Sequence, residues 1–242
     1  MYFGFSDEQQ MLRTSVQRFL QQHCPMREVR RLKAEPAGYS EDHWRRMAEA
    51  GWLGLALPAS VGGAGLGWLD LCVVLEEMGR SLFPSPFLSH SLAAIALAEL
   101  GSGEQQRKYL PGLVSGKHKA TLCLFEGSSG VSLDGVRCRA ERDGEGYRLH
   151  GSKTAVLDPQ SADLLLVVFR DPNDDPVISV VSAGARGVRA DAYPLMDQTR
   201  RMGQVSFDNT PIAADDVLCR GSAAEEAWQR LVDQGALALT AD

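Results

Sequence analysis

The chain has 242 residues, 44% hydrophobic and 23% charged, an ordinary globular composition with room for one large domain or two small ones. A formal net charge of -6 gives no reason to expect a nucleic-acid partner. No apolar run approaches the roughly 20 residues of a membrane span, and the N-terminus lacks a basic segment leading into an apolar one, so a cytoplasmic location is expected.

The first 117 residues or so predict helices. Ser6 and Gln9 form a capping box, after which Leu12, Val16, Phe19 and Leu20 repeat at helical spacing. The basic run Arg27 to Lys33 contains Glu28 and reads as a solvated helix face. Leu57 to Gly67 is a loop by composition. Leu71, Val74, Leu75, Met78 and Leu82 form a second apolar stripe. Leu88, Leu92, Ile95 and Ala96 form a third, closed by Gly101 as a helix stop. Ser102 and Gln105 open a further helix with a second capping box.

Near residue 118 the period changes from 3.6 to 2. Ala120 to Phe125 predicts a buried strand, and Val136, Cys138 and Ala140 alternate with charged residues. Asp143 to Gly146 is a turn, with Tyr147 to His150 returning as a hairpin. Strands are expected at Asp163–Phe169, Val177–Val181, Val188–Ala192 and Val205–Phe207, a spacing that suggests a β barrel or sandwich. From Ala223 the pattern is helical again, with Ala227, Leu231 and Ala238 in a stripe that has no later partner to cover it; the end at Asp242 reads as truncation in mid-helix.

Several common chemistries find no support. The five cysteines, at 24, 72, 123, 138 and 219, include no CxxC pair, and their odd number and wide spacing fit reduced thiols. Gly146 to Thr154 imitates a phosphate loop but has one residue too many and lies in a β run. Gly63, Gly65 and Gly67 do not fit a dinucleotide fingerprint. The five histidines show no metal-ligand spacing, and Ser128, Ser129 and Ser132 sit in no nucleophile elbow. Glu76, Glu77 and Glu126 are read as solvated or structural carboxylates.

Six segments, in order, carry a resemblance. They are Phe5 to Leu12, Trp44 to Pro58 with the following Gly62-Gly63-Ala64-Gly65, Leu75 to Arg80, Gln105 to Leu113, Gly146 to Lys153, and Val205 to Leu218. Together they resemble the N-terminal and middle domains of the acyl-CoA dehydrogenase family. The resemblance implies an α+β fold: an all-α domain at 1–117, a β-barrel or sandwich domain at 118–222, and at 223–242 the first helix of a four-helix C-terminal domain. It implies α,β-desaturation of an acyl-CoA thioester, in which a carboxylate removes the α-proton and the β-hydride passes to FAD. The protein's task in such chemistry is positioning and polarisation. The carboxylate belongs to the C-terminal domain in the family, so no catalytic base is assigned here. Electron-transfer flavoprotein or a similar acceptor, and a homo- or hetero-oligomer, are the implied partners.

Carried over position by position, the cofactor site comprises Leu122, Leu124, Phe125, Gly130, Val131, Ala155 and Leu157. Four of these depart from the family pattern. Phe125 stands for a threonine that would bond the flavin ring, and Val131 for a serine that would bind cofactor phosphate. Ala155 replaces a flavin-packing aromatic, and Leu157 a Ser or Thr hydroxyl. Glu126 and Gly130 are kept. The run Lys153 to Asp158, followed by Ala162 to Val167, resembles the partner subunits of heteromeric acyl-CoA dehydrogenases that handle bulky or dicarboxylic acyl-CoAs. This leaves three readings: a flavin-dependent dehydrogenase, a non-flavin partner subunit of one, or the same fold in another flavin chemistry.

Overall fold

The protein is described here from a computed structural model covering residues 4–127 and 130–242. The first part is helical: α1 (Asp7–His23), α2 (Met26–Ala34), α3 (Glu41–Glu49), α4 (Trp68–Arg80), α5 (Phe87–Leu100) and α6 (Gly103–Val114). Both capping boxes form. The Ser6 hydroxyl accepts from the Gln9 amide at 3.2 Å, and the Ser102 hydroxyl accepts from Gln105 at 3.3 Å, so each helix start satisfies two otherwise orphaned donors.

Helix α5 departs from expectation. It is not a stripe: every residue from Phe87 to Leu97 is buried, including Ser89, His90 and Ser91. Gly101 is not a left-handed stop either, since its φ is -74°. Glycine is required there for space, because a Cβ would lie 2.6 Å from the Leu97 carbonyl oxygen. The Gly62–Gly65 motif has a similar cause. A Cβ on Gly63 would lie 2.1 Å from the Leu57 oxygen, so Gly63→Ala should cost about 1–3 kcal/mol, read as a shifted denaturant midpoint.

Eight strands follow: β1 (Ala120–Cys123), β2 (Arg139–Asp143), β3 (Gly146–Leu157), β4 (Leu164–Arg170), β5 (Pro176–Ser182), β6 (Val188–Ala192), β7 (Met202–Ile212) and β8 (Val217–Arg220). They form one sheet in the order β6-β7-β3-β2-β4-β5-β8, with β1 parallel to β4. The pairings leave β6 and β8 as its ends, so the sheet is not closed. The β2–β3 hairpin forms as predicted, with Asp143 paired to Gly146. Other boundaries differ. The first strand ends at Cys123 rather than Phe125, β3 and β7 run well past their apolar cores, and β8 is an addition. Strand β4 is continuously apolar because it is buried on both faces. Leu166 and Val168 join the helical core, while Leu165, Val167 and Phe169 pack with Tyr147, Leu149 and Phe207.

The last helix, α7 (Ser222–Ala241), is not left bare. Ala227, Trp228, Leu231 and Ala238 are buried, and the helix packs on α4, α5, β5 and β8. It thereby closes over the end of the sheet where the predicted site residues lie. Among the described residues, no helix is long and apolar enough to cross a membrane.

Candidate functional site

A cavity of about 330 Å³ opens between β1, the end of β3, α5 and α7. Six of the seven predicted site residues line it: Leu122, Leu124, Phe125, Val131, Ala155 and Leu157. Gly130 belongs to the same loop, at φ +65°, but does not line the cavity. Ser128 and Ser129 lie outside the described residues. The sequence reading missed the far wall, formed by Leu231, Val232, Gly235, Ala236 and Leu239 of α7. The helical stripe of α7 signalled burial without saying what it faced.

Local backbone chemistry sets the walls. The β3–β7 register slips between Lys153 and Val156, and Ala155 sits in that bulge at φ +53°. A bulge re-aims a side chain, here placing Ala155 and Leu157 beside one cavity. The Thr154 amide donates to the Phe125 carbonyl at 2.9 Å, tying β3 to the loop after β1. Beneath this joint Lys153 is completely buried, and its Nζ donates to the Leu124 carbonyl at 3.0 Å and to Glu126 Oε1 at 2.5 Å. Glu126 also accepts from the amides of Arg137 and Cys138. Glu126 thus braces this joint from Lys153 to the Arg137 and Cys138 amides. On the other side, the Phe125 ring meets Trp228 edge-on at 5.8 Å, and the Trp228 Nε1–H donates to the Val131 carbonyl at 3.1 Å. Helix α7 is thus latched to Phe125 and Val131.

Among the described residues the cavity lining carries two hydroxyls, and both protons are committed. Thr121 Oγ1 donates to the Leu157 carbonyl at 2.7 Å. Ser89 Oγ lies 2.7 Å from Asp158 Oδ2 and 3.0 Å from the Pro86 carbonyl. A flavin ring has a polar edge of acceptors that needs hydrogen-bond donors. Phe125, Val131, Ala155 and Leu157 present carbon instead. Among the described residues, the side chains that line the cavity do not fit that edge. No group of three His, Cys, Asp or Glu that could hold a metal occurs among the described residues.

Asp158 adjoins the site at φ +49°. Burial pushes its carboxyl up to about 6, against the Ser89 hydrogen bond and the charges of Arg200 and Arg201. A raised folded-state value means that the folded chain holds this proton more tightly than the unfolded chain. The resulting stability is full below about pH 4 and is lost as pH rises through about 6. Asp158→Asn should flatten that part of a melting-temperature profile between about pH 4 and 7.

Burial also pushes the Cys123 and Cys138 thiols up to about 12, so neither is a poised nucleophile.

Comparison with known proteins identifies the family and the fold. Residues 6–117 match the family described as acyl-CoA dehydrogenase, N-terminal domain. The chain belongs to the acyl-CoA dehydrogenase family. It is 32% identical over 167 residues to mitochondrial isovaleryl-CoA dehydrogenase of Pongo abelii, covering 68% of this chain and 40% of that protein. Among solved structures it is similar to a variant of the Tcur3481–Tcur3483 steroid ACAD, with 34% identity and a TM-score of 0.83, covering 97% of this chain and 62% of that one. It is also similar to a chain of the ChsE4–ChsE5 complex from Mycobacterium tuberculosis, with 28% identity and a TM-score of 0.89, covering 100% of this chain and 64% of that one. The chain spans about two fifths of the length of the isovaleryl-CoA dehydrogenase it matches. Acyl-CoA dehydrogenases are oxidoreductases that bind FAD, which makes the carbon-lined cavity of this member the feature to be explained.

Proposed function

We propose that the chain is part of one subunit of a heteromeric, FAD-dependent acyl-CoA dehydrogenase, in which a partner subunit holds the flavin. The assembly desaturates a bulky acyl-CoA and passes electrons to electron-transfer flavoprotein or a similar acceptor. The observation that carries this reading is the cavity lining. Positions that would offer hydroxyls to a flavin carry Phe125, Val131 and Leu157, and the two hydroxyls that line the cavity among the described residues are engaged. The similarity to chains of a steroid ACAD and of a two-component complex supports a heteromeric setting and a bulky acyl group. Within the proposed assembly this chain contributes the helical domain at 1–117 and the β domain at 118–222, with α7 beginning the next domain. Leu122, Leu124, Phe125, Gly130, Val131, Ala155 and Leu157 occupy the family's cofactor positions here as an apolar counterpart.

The test is co-expression of the tagged chain with related acyl-CoA dehydrogenase chains. The expected product is a complex of two different chains with one FAD per pair. An active enzyme built from this chain alone, with one FAD per chain, would contradict the reading.

A further inference from the structure

The cavity that replaces a flavin site is not collapsed. It is partly open to solvent rather than an enclosed void, and about 330 Å³ of carbon-lined space that the fold leaves unfilled needs an explanation. An engineered apolar cavity of about 150 Å³ stays dry and takes up one benzene ring. This cavity has roughly twice that room. Its size is within the usual range of ligand pockets, about 300–1,000 Å³. Leu122, Leu124, Phe125, Leu157, Leu231 and Leu239 supply apolar wall on several sides. Among the described residues no charged side chain lines it, so an ionic group would be left unpaired there.

Gly235 shows where the space lies. It is in the interior of α7, where glycine is about 0.5–1 kcal/mol worse than alanine, yet no packing within these residues requires it. A Cβ added there meets nothing within 4 Å, and the residue lines the cavity. The helix thus presents an open notch on its cavity side.

From this we infer that the cavity binds an uncharged hydrocarbon body about the size of two fused rings, lying against the notch at Gly235. The inference rests on the reading that the pocket is not a flavin site. The ligand class is neutral and alicyclic or branched; a flavin or a free carboxylate does not meet it.

The probe is prodan, a neutral naphthalene dye whose emission shifts to the blue in apolar surroundings. Titrated into the purified chain, it should bind saturably at one site per chain. Gly235→Leu should weaken that binding at least tenfold while keeping or raising the melting temperature, because leucine fills open space and favours the helix. Ala236→Leu is the second variant, with the same expected loss. Excess FAD should leave the dye bound. No saturable binding, or binding unchanged in both variants, would overturn the inference. Stoichiometric displacement of the dye by FAD would overturn it together with the reading beneath it. Failure to find a partner chain would count against the heteromeric assignment alone.

Discussion

The triple variant Phe125→Thr, Val131→Ser, Leu157→Thr should bind FAD roughly 10- to 2,000-fold more tightly than the native chain. Each restored hydroxyl adds one hydrogen bond worth about 0.5–1.5 kcal/mol, for a total of about 1.5–4.5 kcal/mol. The three positions border one cavity, so their new hydroxyls reach the same ligand. Ala155 is left unchanged. Its φ is +53°, and a bulky residue in that conformation adds strain. Phe125→Thr also gives up the edge contact with Trp228, so the variant will be less stable than its parent. Binding is therefore measured well below its melting temperature, by flavin fluorescence quenching. A triple variant that binds FAD no better than the native chain would mean that the hydroxyl positions do not decide cofactor binding.

Lys153→Met should be the most destabilising single change near the site. The ammonium is fully buried, and the Glu126 side chain is only 11% exposed. Removing one partner of such a pair costs about 3–5 kcal/mol, chiefly because the other charge remains in a poorly solvated place. For a chain of this length that is a fall in melting temperature of roughly 6–20 °C. The damage should spread to the cavity, because Lys153 also holds the Leu124 carbonyl and its neighbour Thr154 holds Phe125. Adding Glu126→Gln should recover part of the loss, since the carboxylate charge that Lys153 balanced is then gone. The Arg137 and Cys138 amides would keep an acceptor in the amide oxygen. A single-variant loss below about 1 kcal/mol by denaturant melt would show that the buried pair does not anchor this joint.

What could be read from sequence was what is decided locally. Ser6 with Gln9, Ser102 with Gln105, and the Asp143–Gly146 turn each depend on neighbours within a few residues, and each forms. The family resemblance added the site positions, and six of them meet at one cavity. Long-range pairing was hidden. Nothing in Val217–Arg220 announces a strand until β5 is beside it, and the polar end of β7 is strand only because β3 pairs with it. The serines and His90 of α5 disguised a helix buried all round. Likewise the bulge at Ala155 and the notch at Gly235 need the partner element in place before they mean anything. The apolar face of α7 was visible, but its cover was not, because α4 and α5 lie more than a hundred residues earlier in the chain.

The central claim is that this member of the acyl-CoA dehydrogenase family does not hold its own flavin. Its most direct test is the visible spectrum of the purified chain, taken after incubation with excess FAD and removal of the unbound cofactor. The expected result is no flavin band at about 450 nm. A stoichiometric band in the native chain would contradict it, and would mean that other groups replace the hydroxyls absent at Phe125, Val131 and Leu157.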